Sequence, residues 1–141
     1  MSEVQEKHLV RPFAALRPVP DLAQEVVAPP YDVVNTEEAL ALAENKPWSF
    51  LHISKPEIDL PPGTDVFSDE VYAKAQENIN RMVDEGILKR DGDDYYYIYR
   101  VVMGDHVQTG IVGAGSVEAY EKNLIRRHEF TRPDKETDRV R

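Results

Sequence analysis

The chain contains no cysteine, which excludes disulfides, thiolate metal sites and cysteine nucleophiles. It also has no apolar run of about 20 residues, the length that spans a bilayer. Its first ten residues are polar and lack the apolar centre of a signal peptide. From these absences we expect a soluble, cytoplasmic protein that does not bind membranes.

Positive charge is also scarce. Only 17 Lys and Arg residues stand against 26 Asp and Glu residues in 141, giving a formal net charge of −9. Nucleic acids and anionic membranes bind clustered cations, so this balance argues against both as partners. The length suits one compact domain. We therefore expect a single domain over residues 1–141, with a flexible N-terminus at 1–8.

Proline content and apolar alternation predict the extended parts of the chain. Five prolines in the early part of the sequence exclude a long helix there, so we expect extended segments at 9–16 and 25–28. A stiff loop follows at 28–34. Alternating large apolar and small polar residues predict a strand at 48–54, and a hairpin that reverses at Gly104-Asp105.

Capping residues and apolar spacing predict four helices. They are expected over residues 36–45, 69–85, 116–122 and from Pro133 to the end of the chain. Asn35 is the expected N-cap of the first, and Gly86 the expected stop of the second. These elements predict an α+β fold, a small mixed sheet with packed helices. The last helix has no stop residue, so we expect an N-terminal fragment of a longer protein.

The most basic stretch surrounds the start of the last helix. Residues 124–141 hold six Lys and Arg against four Asp and Glu, so this stretch is net +2 and the remainder −11. A helix N-terminus beside arginines favours phosphate. The candidate phosphate-binding residues are Arg126, Arg127, Arg132 and Lys135. A solvated surface of mixed charge explains the same pattern equally well.

Four further side chains are candidates for chemistry. His128 and Glu129 suit proton transfer, and Glu129 also suits Mg²⁺ coordination. Tyr31 and Asp32 lie on the proline-stiffened loop, where Asp32 is a candidate metal ligand or hydrogen-bond acceptor. The more frequent roles are simple hydrogen bonding for the first pair and an Asx-type turn for Asp32.

His52 is the remaining candidate. It lies in the predicted strand at 48–54, where residues two apart share a face, so Ser54 accompanies it. We consider it as a substrate-facing side chain. A histidine on a strand beside the core is more often structural.

Five motifs in order resemble one known family. They are VRPFAALRP at 10–18, APPYDVV at 28–34, SFLHIS at 49–54, PEID at 56–59 and RHEFTRPDK at 127–135. Together they resemble the N-terminal part of domain of unknown function 1015, whose members are longer than this chain. That family is more distantly similar to the superfamily of ParB partition proteins, sulfiredoxins and archaeal free serine kinases.

The resemblance implies a ParB/sulfiredoxin-like fold and an ATP-dependent kinase that converts free L-serine into O-phosphoserine, with ATP and Mg²⁺ as cofactors. It implies that the segment from Arg127 to Lys135 grips phosphate and that the Tyr31-Asp32 loop faces it. Asp32 or Glu129 would hold the metal or accept the serine proton, and both assignments stay open. Expected partners are a nucleotide, a small amino acid and the remainder of the full-length chain.

Two other functions remain as alternatives. One is a nucleotide-binding regulatory or ParB-like partition module without kinase activity. The other is a folded fragment that lacks a complete site. The negative net charge counts against the DNA-binding form of the first.

Overall fold

The computed structural model describes residues 8–140. The expected flexibility of residues 1–8 therefore falls almost wholly outside the described part. The helices, in chain order, are α1 (Ala23–Val26), α2 (Thr36–Ala43), α3 (Leu51–Ser54), α4 (Asp69–Asp84), α5 (Val117–Glu121) and α6 (Pro133–Val140). Short 3₁₀ turns occupy Pro20–Leu22, Tyr31–Val33 and Pro56–Asp59.

The strands form three two-stranded sheets. In chain order they are β1 (Val10–Arg11), β2 (Leu16–Pro18), β3 (Leu88–Arg90), β4 (Tyr97–Met103), β5 (His106–Val112) and β6 (Ala114–Gly115). The sheets pair β1 with β6, β2 with β3, and β4 with β5. Helices and small sheets along one chain confirm the predicted α+β class, but the described strands form three separate two-stranded sheets instead of the one mixed sheet expected. The ParB-like assignment stays a prediction.

The chain folds as two compact units. The first unit consists of Met1–Ala15 and Arg90–Arg132, and the second of Leu16–Lys89 and Pro133–Arg141. The single domain expected from the length stays a prediction. Helix α6 belongs to the second unit although it is last in the sequence, so its packing partners are residues from far earlier in the chain.

The antiparallel β4–β5 hairpin is the main feature of the first unit. Its register runs from Tyr97 opposite Val112 to Met103 opposite His106. Gly104 adopts a φ of 61° in the turn, as the predicted reversal requires. The Tyr97 hydroxyl donates to Asp91 Oδ2 at 2.5 Å, and its ring lies 5.2 Å from that of Phe13.

Two apolar clusters form the core of the second unit. The larger one consists of Val26, Met82, Ile87 and Leu88, of which Met82 is 0% exposed. The smaller one consists of Ala39, Ala43 and Leu51. Helix α4 contributes Met82 to the first cluster and ends just before Gly86, whose φ of 75° reverses the backbone as predicted.

The start of α2 is fixed by a reciprocal pair of hydrogen bonds. Asn35 Oδ1 accepts from the Glu38 amide at 2.8 Å, and Glu38 Oε2 accepts from the Asn35 amide at 2.9 Å. Two amides that a helix start leaves without intrahelical partners are thereby satisfied. The predicted N-cap is confirmed.

The predicted strand at 48–54 is wrong, because residues 51–54 form helix α3. The amide of Lys55 donates to Leu51 O at 2.8 Å, and that of Phe50 donates to Val26 O at 2.8 Å. Leu51, only 1% exposed, packs into the alanine cluster of α2. The extended segment predicted at 25–28 is wrong in the same way, since α1 covers its first two residues. At 48–54 burial of Leu51 overrides a short alternating pattern. At 23–26 the helix is a single turn, which is short enough to fit between the prolines and buries Val26.

Replacing Met82 by Ala is expected to lower the free energy of unfolding by about 2–5 kcal/mol, because it leaves a cavity in the larger cluster. The neighbouring Val83 is the matched control, since it is 42% exposed on the same helix. Val83→Ala is expected to cost less than about 1 kcal/mol. Urea denaturation followed by circular dichroism measures both. Equal losses in the two variants would contradict the placement of Met82 in the core.

Candidate functional site

A pocket of about 380 Å³ lies within the second unit. Its walls come from the turn at Tyr31–Val33, the end of α3 with the turn after it, the segment before α4, the first turns of α4, and α6. The volume falls in the range typical of small-molecule sites. The pocket is therefore the candidate functional site.

One wall consists of an aromatic ring with two cations beside it. The Arg139 guanidinium carbon lies 3.5 Å from the centroid of the Tyr31 ring, and Lys135 Nζ lies 5.9 Å from the same centroid. Lys135 and Arg139 are four residues apart on α6, so they share one face of the helix. The ring attracts both charges through its negative face.

Helix α6 is joined to α4 by a hydrogen bond at the same pocket. The Tyr72 hydroxyl donates to Asp138 Oδ1 at 2.5 Å. The other carboxylate oxygen of Asp138 lies 3.8 Å from Arg139 Nε. A hydrogen bond from a neutral hydroxyl to an ionised carboxylate is stronger than one between two neutral groups. This bond therefore holds α6 in place beside the pocket.

The opposite part of the lining contains an ion pair and a serine. Lys55 Nζ lies 3.2 Å from Glu57 Oε1, and their side chains are only 14% and 9% exposed. Ser54 Oγ is buried and has no hydrogen-bond partner among residues 8–140. A buried hydroxyl without a partner carries a desolvation cost that a polar ligand group can relieve.

The charges of the pocket differ in whether they are neutralised. Lys55 and Glu57 neutralise each other. Within the described part of the chain, Lys135 has no carboxylate and Asp32 has no cation at ion-pair distance. The pocket therefore offers unsatisfied charge of both signs.

The candidate His52 is held by hydrogen bonds of the protein itself. Its Nδ1 lies 2.9 Å from Asp59 Oδ2, and its Nε2 lies 3.0 Å from Lys46 O. The Asn78 side-chain amide donates to Asp59 Oδ2 at 2.8 Å and to His52 O at 2.7 Å. Both ring nitrogens are thus engaged, and His52 is not part of the pocket lining. This network supports the structural alternative for His52.

The other candidates belong to the first unit. The Arg127 guanidinium lies 4.8 Å from the Tyr120 ring centroid and 5.9 Å from that of Phe130. His128 Nε2 lies 3.8 Å from Glu129 Oε1, with side chains 92% and 84% exposed. Arg126 and Arg132 are also exposed. Of the predicted site residues, the structure brings Tyr31, Asp32 and Lys135 to one pocket.

Comparison with known families identifies the chain. The family described as "Protein of unknown function (DUF1015)" matches residues 10–141. The chain belongs to this family. No curated protein and no solved structure gives a significant match. In residues 8–140 of this DUF1015 chain, no helix has the length and apolar character to cross a membrane, and no group of three or more His, Asp or Glu side chains forms a metal cluster.

Several pocket residues of this DUF1015 chain escaped the sequence analysis. They are Lys55, Glu57, Tyr72, Asp138 and Arg139. Ser54 was named only as the companion of His52. The spacing of four between Lys135 and Arg139 was a usable signal, because a cation that shares a helix face with a candidate is itself a candidate. The others become neighbours only through the packing of α3, α4 and α6, which no local pattern encodes.

Replacing Asn78 by Ala is expected to lower the free energy of unfolding by about 1–3 kcal/mol, because Asp59 and the carbonyl of His52 lose a buried donor. Asn78 is 4% exposed. Asn80→Ala is the matched control on the exposed side of α4, with an expected change within about 0.5 kcal/mol. Urea denaturation provides the comparison, and a loss no larger than that of Asn80→Ala would refute the structural role of the network.

Proposed function

We propose that this DUF1015 chain acts in the nucleotide-dependent phosphorylation of a small hydroxyl compound. Free L-serine is the substrate that the family resemblance implies, and O-phosphoserine the product. The observation that carries the proposal is the meeting of the Tyr31-Asp32 loop with Lys135 at one pocket. The sequence assigned the loop to the substrate and Lys135 to phosphate, from two stretches far apart in the chain.

The proposed reaction is a single displacement at phosphorus. The serine hydroxyl oxygen forms a bond to the terminal phosphorus of ATP, and the bond from that phosphorus to the bridging oxygen breaks, releasing ADP. A carboxylate accepts the hydroxyl proton. Such transfers depend mainly on positioning and on compensation of the phosphate charge, so cations and a well-placed carboxylate are the groups required.

Asp32 and Glu129 are the carboxylates proposed for the proton and the metal. Asp32 lines the pocket, is exposed and has no cation at ion-pair distance among the described residues. Glu57 is less suitable because Lys55 already neutralises it. Mg²⁺ in kinase sites typically takes one or two carboxylates and completes its shell with substrate phosphates and water, so a three-residue cluster is not required. Bound Mg²⁺ would neutralise phosphate charge.

Arg127 is the phosphate-binding candidate of the first unit whose guanidinium is held by aromatic rings. Its guanidinium lies within cation–π distance of the Tyr120 and Phe130 rings. Its N–H groups point outward in the plane of the group, so stacking leaves them available for phosphate oxygens. This geometry supports the role that the sequence assigns to Arg127.

Adding ATP or ADP with Mg²⁺ at millimolar concentration is expected to raise the unfolding temperature of the chain by a few degrees. Ligand at about 100 times its Kd stabilises by about 2.7 kcal/mol. Arg127→Ala is expected to reduce the shift. Arg100→Ala, which removes an exposed arginine of β4 instead, is expected to preserve it. Absence of a shift with every nucleotide tested would reject nucleotide binding.

Replacing Asp32 by Asn and Glu129 by Gln is expected to separate the two carboxylate roles. Loss of the proton acceptor lowers kcat at every Mg²⁺ concentration, whereas loss of the metal ligand raises the Mg²⁺ concentration needed for half-maximal rate. Phosphoserine formation from ATP and L-serine is the measurement. Asp84→Asn, at an exposed position of α4, is the control and is expected to match wild type.

Two outcomes would go against the kinase proposal. Nucleotide binding without phosphoserine formation would favour the regulatory alternative. Unchanged rates in both carboxylate variants would remove Asp32 and Glu129 from the mechanism. Because both side chains are exposed, their isosteric replacement is expected to leave the fold intact, which thermal unfolding checks.

A further inference from the structure

Arg139 lines the pocket, and its side chain contacts Tyr31 and Asp138. The guanidinium carbon lies over the Tyr31 ring, 3.5 Å from its centroid. Its Nε also forms a long ion pair with Asp138 Oδ2, at 3.8 Å, which leaves the two terminal nitrogens for other acceptors. A stacked guanidinium keeps its terminal N–H groups in its own plane, where they form the two-pronged donor that fits a planar oxyanion.

The remaining charges of the pocket indicate what kind of anion fits. Asp32 lines the same pocket and has no cation at ion-pair distance among residues 8–140. A carboxylate attracts an ammonium group, and it repels a second anion unless a cation lies between the two. Among the described residues of the pocket, Lys135 and Asp32 lack an ion-pair partner, so the pocket favours a zwitterion, a small molecule that carries one charge of each sign.

We propose that Arg139, held on the ring of Tyr31, binds the carboxylate of a free α-amino acid and makes the pocket select amino acids over neutral analogues. The inference rests on the proposed function in taking this pocket as the substrate site. Lys135 adds positive charge on the same face of α6. The negative charge of Asp32 in the same pocket favours an ammonium group over a second anion, and the buried Ser54 hydroxyl gains a polar neighbour.

Tyr31 acts through Arg139 and is a positioning residue. Its ring fixes the plane of the guanidinium, and the Tyr72–Asp138 bond fixes the helix that carries Arg139. Without the ring, the flexible arginine chain must be ordered by the ligand itself, which weakens binding. Phe at position 31 keeps the ring face and Leu removes it.

The test is direct calorimetric titration of the 141-residue chain without nucleotide, at about pH 6, where the amines of the ligands are protonated. The probes are L-serine, L-alanine, L-serinamide and inorganic phosphate. L-Serinamide keeps the ammonium and hydroxyl groups but replaces the carboxylate by a neutral amide. L-Alanine keeps the carboxylate and lacks the hydroxyl.

Wild type is expected to bind L-serine about tenfold or more tightly than L-serinamide, as loss of a charge-assisted hydrogen bond predicts. In Arg139→Ala this ratio is expected to fall to about one, with Arg139→Lys between the two. Tyr31→Phe is expected to keep the wild-type ratio and Tyr31→Leu to lose most of it. Arg81→Ala is the matched control, because Arg81 stacks on Trp48 at 5.2 Å and is not part of the pocket lining.

Three results would overturn the proposal. They are equal binding of L-serine and L-serinamide by wild type, an unchanged ratio in Arg139→Ala, and no L-serine binding at millimolar concentration. Inorganic phosphate that binds more tightly than L-serine, and loses affinity in Arg139→Ala, would assign the arginine to phosphate instead. Equal binding of L-alanine and L-serine would leave the amino-acid site standing while counting against a hydroxyl substrate, so the two proposals fail separately. Circular dichroism of each variant confirms folding.

Discussion

Burial of one face of α4 is the constraint on which the second unit depends. Met82 at one end of this face lies in the larger core cluster, and Asn78 one turn earlier holds Asp59 and the backbone of His52. Near the other end, Val71 and Ala75 line the pocket. Because these residues recur at helical spacing, one rotational setting of α4 satisfies all three regions. A rotation that displaced Met82 from the core would also displace the pocket wall.

The same contact type, an arginine on an aromatic ring, occurs in different surroundings in this chain. Arg81 stacks on Trp48, and its guanidinium also donates to Pro47 O at 3.2 Å. Arg139 stacks on Tyr31 beside an open pocket. In the first case the arginine serves packing, because one terminal nitrogen is bonded to a backbone carbonyl and the group is not part of the pocket lining. In the second, the ring holds a charged group that lines a pocket large enough for a small ligand.

Local signals predicted the elements well, and tertiary burial explains the failures. The Asn35 cap, the Gly86 stop and the hairpin turn at Gly104 depend on residues a few positions apart, and each prediction is confirmed. The strand predicted at 48–54 failed because Leu51 is drawn into a cluster made by α2. The alternation is present in that segment, but the elements it mainly contacts are helices α2 and α4 and the turn at Pro56–Asp59.

The residues of the candidate site also fall into those that local sequence marks and those that only packing brings together. Tyr31 and Asp32 stand out in sequence because adjacent prolines stiffen their loop, and Lys135 stands out because it follows a helix start. Tyr72 lies inside a regular helix, and nothing in its local sequence distinguishes it. It enters the site because α4 and α6 pack together and its hydroxyl reaches Asp138. Sequence therefore finds residues with a distinctive local setting, whereas the residues that support them are visible only once the packing is known.

The exposure of His128 and Glu129 to water weakens the charges that their proposed chemistry requires. Their side chains are 92% and 84% exposed, so water screens the charges they present. A carboxylate in this setting interacts weakly with a ligand until water is displaced from around it. For this proposed chemistry, a bound ligand would itself have to exclude water from the two side chains. The pocket differs, because its Lys55–Glu57 pair and the Ser54 hydroxyl are already shielded. Discrimination between substrates is accordingly expected to depend on the pocket, and the exposed pair to affect rate only after binding.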